Sequence, residues 1–93
     1  MQPATIADVT AAARYLWSCS AKTRRDELEV MLLEAELANL YRLSMGRAHP
    51  RLGDGSLMAA ALTRKRVAEP PLSDATYCRC LAQVLEALAR RAA

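Results

Sequence analysis

The sequence predicts an all-α protein, a small bundle of about four helices with a long central helix, oligomeric in its working form. Three observations predict it. The composition is that of helices joined by short turns: Ala, Leu, Arg and Glu dominate, Phe is absent, and 93 residues hold only three Gly and four Pro. Apolar residues recur at three- and four-residue steps in four separate stretches, which places them on one side of a helix. Each stretch follows a hydroxyl or carboxylate residue able to accept hydrogen bonds from the unpaired N–H groups of a helix start. A chain this short buries a modest fraction of its surface, so residues 1–93 read as a single helical domain for which a partner subunit is a natural source of stability.

The first helix is predicted over about residues 6–19, behind Thr5 with Asp8 three positions later, and its apolar face is Ile6, Val9, Ala13, Leu16 and Trp17. Ser18 to Lys22 reads as a turn. Thr23 and Asp26 repeat the capping spacing, and a longer helix runs over about 24–45 to a stop at Gly46. That helix carries two apolar stripes. Leu28, Met31, Leu32, Ala35 and Ala38 form one, and Val30, Leu33, Leu37, Leu40 and Tyr41 form another displaced around the axis. A helix in a small monomer needs one apolar face, so the second stripe is read as the oligomer interface; the competing reading is a central helix wrapped by the others within a monomer. The segment GRAHPRLGDG, residues 46–55, is a loop by its Gly, Pro and Asp content. A third helix over about 56–67, capped by Asp54 or Ser56, ends in Arg64, Lys65 and Arg66, where cations favour a helix C-terminus. Pro70 and Pro71 then break the chain, and a last helix over about 74–91 shows a narrow apolar face of Tyr77, Leu81, Val84, Leu85 and Leu88.

No residue constellation in this sequence supports catalysis, a cofactor or a metal. The one histidine, His49, precedes a proline in a basic loop and has no nearby partners for a triad or a metal cluster. Cys78 and Cys80 are two apart, so on a helix they point about 200° away from each other and cannot share a tetrahedral ion without unwinding. They read as small buried apolar residues. The acids Asp26, Glu27, Glu29, Glu34 and Glu36 on the long helix read as a solvated face, and no phosphate-binding P-loop sequence occurs. Three cysteines, an odd number, behind an N-terminus without signal-peptide character lead to the expectation of a reduced, cytoplasmic protein. No apolar run approaches the length of a membrane span.

Charge is the remaining signal. Eleven of thirteen basic residues are Arg, the side chain suited to phosphate and carboxylate contacts, although a GC-rich genome produces the same bias. From Arg42 to Arg66 six basic residues face a single acid, Asp54, whereas the preceding stretch is acidic. This polarity supports a nucleic-acid contact through Arg47, Arg51, Arg64, Lys65 and Arg66, or head-to-tail association of unlike faces. No helix-turn-helix stands out, because the turn before the long helix lacks Gly and the helix that follows it is acidic.

Three segments carry a family resemblance: Arg47-Ala48-His49-Pro50-Arg51, the run from Gly53-Asp54-Gly55-Ser56 to Ala61, and Tyr77-Cys78-Arg79-Cys80-Leu81. They resemble a small family of alphaproteobacterial proteins encoded beside the large terminase of gene transfer agents, phage-like particles that package host DNA. The likeness spans almost the whole chain and implies a small terminase subunit. It further implies a homo-oligomer, weak and sequence-indifferent contact with double-stranded DNA, and recruitment of the large terminase ATPase through the C-terminal face of Tyr77, Leu81, Val84, Leu85 and Leu88. The chain departs from phage small terminases in lacking room for a separate DNA-reading domain, in keeping with contacts to phosphates, which carry no sequence information directly. Alternatives are another phage-like assembly factor, such as a tail assembly chaperone or connector, or a small protein-binding regulator.

Overall fold

The computed structural model describes residues 1–92, which form four helices: α1 (Ile6–Ser18), α2 (Arg24–Met45), α3 (Leu57–Leu62) and α4 (Ala75–Ala92). Among the described residues there is no strand, only an isolated antiparallel bridge between His49 and Gly53. The radius of gyration is 12.8 Å, close to the value of about 12 Å for a compact chain of this length.

The centre of the bundle is α1 and not the long α2. It packs against α2, α3 and α4, whereas α2 keeps one side open. Its sequence allows this. Ala11, Ala12 and Ala13 are all buried, and such small side chains let neighbours approach on several sides. Val9 and Leu16 complete the buried set, while Ile6, at 73% exposure, and Trp17 lie outside it, so the expected face holds only in its middle. The core is closed by Leu28, Met31, Leu32 and Ala35 from α2, Leu57, Ala60 and Ala61 from α3, and Tyr77, Cys80, Val84 and Ala87 from α4.

One charged residue, Asp8, sits inside this apolar arrangement at 6% exposure. Its carboxylate accepts from the Thr5 N–H at 2.8 Å and the Thr5 hydroxyl at 2.9 Å. The other oxygen accepts from the Met58 N–H at 2.9 Å, so one side chain supports the starts of both α1 and α3. Both helix starts present unpaired N–H groups and partial positive charge, which is why a buried carboxylate without a cation is tolerated here.

The other helix ends follow the sequence unevenly. Gly46 stops α2 in the left-handed conformation at φ 71°, and its N–H donates to the Arg42 carbonyl. Thr23 does not cap α2; its hydroxyl donates instead to the Ser20 carbonyl within the turn. Ser56 caps α3 by accepting from the Ala59 N–H, and the Asp74 carboxylate accepts from the Tyr77 N–H at the start of α4. The third helix ends at Leu62, five residues before the expected boundary at 67. Two groups compete for its last turn: the Thr63 hydroxyl and the Arg64 guanidinium both donate to the Ala60 carbonyl, which replaces continued helical bonding.

The 46–55 loop is ordered by its own chemistry. The His49 Nδ1 accepts from the N–H groups of Arg51 and Leu52, and its ring stands edge-on to Tyr41 at 4.7 Å. Gly55 has φ 91° and is buried against α2, where a Cβ would lie 2.7 Å from the Asn39 Cα. Only glycine satisfies both demands.

Candidate interaction surfaces

Three surfaces follow from the sequence reading, and the fold treats each differently. The second stripe of α2 is open. Val30, Leu33, Leu37 and Leu40 are 45–63% exposed, and Tyr41 is half-buried against His49. The first stripe, from Leu28 to Ala38, is buried as expected, so the two stripes separate cleanly into inside and outside.

The C-terminal face is different. Tyr77 and Val84 are fully buried, and Leu81 and Leu88 pack at the margin of the core. Only Leu85 is exposed, at 50%. Tyr77 and Val84, expected to meet a partner, are instead core residues, while Leu81 and Leu88 keep part of their surface open: α4 lies along α1, whose alanine surface accepts that face. A periodicity argument sees an amphipathic helix and cannot tell whether the complementary groove belongs to its own chain. The Tyr77 hydroxyl donates to Glu69 at 3.1 Å, tying α4 to the segment before it, and burial pushes the Tyr77 phenol pKa up.

The basic residues divide into three groups. Arg47 and Arg51 are exposed on the 46–55 loop, before α3. Lys65 and Arg66 are exposed after α3. Arg64 is taken out of the expected DNA-contacting set, because its guanidinium is held inside the fold. It pairs with Glu34 at 2.8 Å and Glu27 at 3.8 Å, lies over the Tyr15 ring at 5.7 Å, and has a side-chain exposure of 16%. Tyr15 donates to Glu27 at 2.9 Å, so α1, α2 and the end of α3 meet in one polar cluster. Desolvation there, with the hydrogen bond to Glu27, raises the Tyr15 pKa to about 12.

Sequence reasoning passed over Arg14. It comes together with Lys65 and Arg66 around a cleft of about 130 Å³ between α1 and the segment after α3. No spacing in the sequence joins residue 14 to residues 65 and 66; the α1–α3 packing does.

Cys80 is buried and burial raises its thiol pKa, whereas Cys78 is exposed and its thiol donates to the Leu72 carbonyl at 3.1 Å. They occupy different sides of α4, as their spacing requires. Among the described residues no group of three or more His, Cys, Asp or Glu side chains is arranged to hold a metal, and no helix is long and apolar enough to cross a membrane.

No curated protein and no solved structure matches the chain. Residues 2–88 match the family described as a domain of unknown function, DUF7742. That match takes in all of α1, α2 and α3 and most of α4, and the chain belongs to this family.

Proposed function

We propose that the protein is a non-catalytic, small terminase-like subunit that self-associates through α2, contacts double-stranded DNA weakly and without sequence preference, and recruits a large terminase ATPase for packaging into phage-like particles. The observation that carries the reading is the open α2 stripe. From Val30 its members step by three, four and three residues to Leu33, Leu37 and Leu40, the spacing of a coiled-coil seam. Three of the acids beside this seam are matched within the chain, Glu29 by Arg25, Glu34 by Arg64 and Glu36 by Arg91, and the exposed Asp26 at its N-terminal end is left without an ion pair among the described residues.

Full burial of a leucine-sized side chain contributes about 1.5–3 kcal/mol, so finishing the burial of four half-exposed ones contributes about 3–6 kcal/mol per protomer. Losing rigid-body freedom costs about 4–15 kcal/mol. A dimer gains about twice the per-protomer figure, so the balance is close and self-association is expected to be weak, at high micromolar concentration or above. The sequence resemblance supports the packaging role, and the exposed Arg47, Arg51, Lys65 and Arg66 supply phosphate contacts whose strength falls as salt rises.

Light scattering at high micromolar concentration, with a pull-down of a large terminase ATPase from a gene transfer agent, tests the whole reading. Leu33→Glu with Leu37→Glu is expected to give a folded monomer that no longer captures the ATPase as an assembly. A wild-type chain that is strictly monomeric and leaves the ATPase in solution removes the proposal. If it instead captures a different structural protein of the particle, the reading becomes that of another assembly factor.

A further inference from the structure

We propose that the cleft between α1 and the segment following α3 is a binding site for a single phosphoryl group, held by Arg14, Lys65 and Arg66. The three cations arrive from two separate parts of the chain, and the remaining lining of the cleft is apolar. No carboxylate lines it, and among the described residues none of the three forms an ion pair. The adjacent Arg64 is matched by two carboxylates, Glu27 and Glu34, so the lack of partners begins at the next residue.

Arg14 is the informative member. It is half-buried, and its guanidinium makes no hydrogen bond within the described residues. Its charge therefore has no carboxylate or carbonyl to answer it and stays available to an anion entering the cleft.

Size and charge select the ligand class. A volume of about 130 Å³ is below the usual range for a whole small-molecule ligand, about 300–1,000 Å³, and suits one functional group. A free phosphate brings up to about two negative charges and more than two terminal oxygens, which answer three donors, whereas a lone carboxylate brings one charge and two oxygens; a backbone phosphodiester also brings one charge and two terminal oxygens, but repeats them along the strand. The guanidiniums supply forked donors and the ammonium a point charge. The phosphoryl group can come from a nucleic-acid backbone or from a free phosphate. For the first source the inference rests on the DNA-contact reading; for the second it stands without it.

The test is a titration of the full-length, isotope-labelled protein with inorganic phosphate and, separately, with a short DNA duplex, following the Arg14 side-chain Nε–H signal and the Lys65 and Arg66 amides by NMR. Saturable movement of these signals by phosphate, weakened about tenfold in Arg14→Gln and in Lys65→Gln and unchanged in Lys22→Gln, supports the site. Lys65 is exposed, so its variant keeps the test valid if Arg14→Gln fails to fold. If the duplex moves the same signals and competes with phosphate, the source is the nucleic-acid backbone; if only phosphate does, it is a free phosphate and the DNA-contact reading fails alone. If neither moves these signals saturably, or if both variants bind as the wild type does, the site is overturned. Duplex binding that depends on Arg47 and Arg51 but not on Arg14 overturns the site while leaving DNA contact standing.

Discussion

Replacing Asp8 by Ala is expected to be the most damaging single truncation of a polar side chain in this protein. The carboxylate is 6% exposed and accepts three hydrogen bonds, two from backbone N–H groups at the starts of different helices. A buried donor left without its partner costs about 1–3 kcal/mol, and loss of an N-terminal capping interaction costs about 1 kcal/mol. For the part-buried Met58 N–H and the cap at exposed Thr5 together the loss is about 2–4 kcal/mol. A chain of this length has a total stability of about 5–14 kcal/mol, so the variant loses a large share of it. Asp8→Asn keeps the shape but offers one acceptor oxygen and turns an amide donor toward an N–H group, so it is expected to recover only part of the loss. Urea unfolding followed by far-ultraviolet circular dichroism measures both, with Asp26→Ala, exposed in the first turn of α2, as a control near zero. An Asp8→Ala protein within about 1 kcal/mol of wild type would refute the claim that this side chain joins α1 to α3.

Gly55→Ala is expected to cost more than Gly46→Ala in the same assay. Both have positive φ, but a Cβ at Gly55 meets the Asn39 backbone at 2.7 Å whereas one at Gly46 meets nothing within 4 Å. Hydrogen bonds from the Ser56 hydroxyl and N–H hold the Asp54 carboxyl below its ordinary pKa of 3.8. Its contribution is therefore complete above that value and is lost as the pH falls through it and then through the lower folded-state pKa, so Asp54→Asn should flatten the acid limb of a stability–pH curve. Iodoacetamide is expected to alkylate exposed Cys78 readily and buried Cys80 only when the protein unfolds, checked by peptide mass spectrometry with and without urea. Truncation after Glu69 removes Tyr77, Cys80, Val84 and Ala87 from the core and is expected to abolish cooperative unfolding and solubility rather than leave a folded body.

What was legible in the sequence was periodicity and punctuation. The inner stripe of α2, the Gly46 stop, the Ser56 cap and the helical character of all four stretches depend on residues within one turn of each other. What was not legible depends on which helix lies beside which. Asp8 looks like a local capping acid until Met58, 50 residues away, donates to its second oxygen. Arg64 looks like the first of three equivalent cations until Glu27 and Glu34 claim it from α2. Arg14 has no reason to be grouped with Lys65 and Arg66 until α1 is found against α3. The third helix ends early for the same reason, since the Arg64 side chain that caps the Ala60 carbonyl is held in place by α2.

The placement of α4 constrains how any protein partner could dock on this chain. With Tyr77 and Val84 at 0% exposure, docking through that face would require α4 to leave α1, which exposes the alanines and Leu16 beneath it. Burying a tyrosine or valine contributes about 1.5–3 kcal/mol each, so detachment of four such residues costs a substantial part of the whole stability and a partner would have to return it. The outer stripe of α2 carries no such penalty, because Val30, Leu33, Leu37 and Leu40 are already in water. A partner that binds the folded chain is therefore expected to compete with the proposed self-association for α2, or to recognise a surface that such an assembly would create. These two cases differ in their dependence on concentration: competition weakens capture of the partner as the chain self-associates, while recognition of the assembly strengthens it.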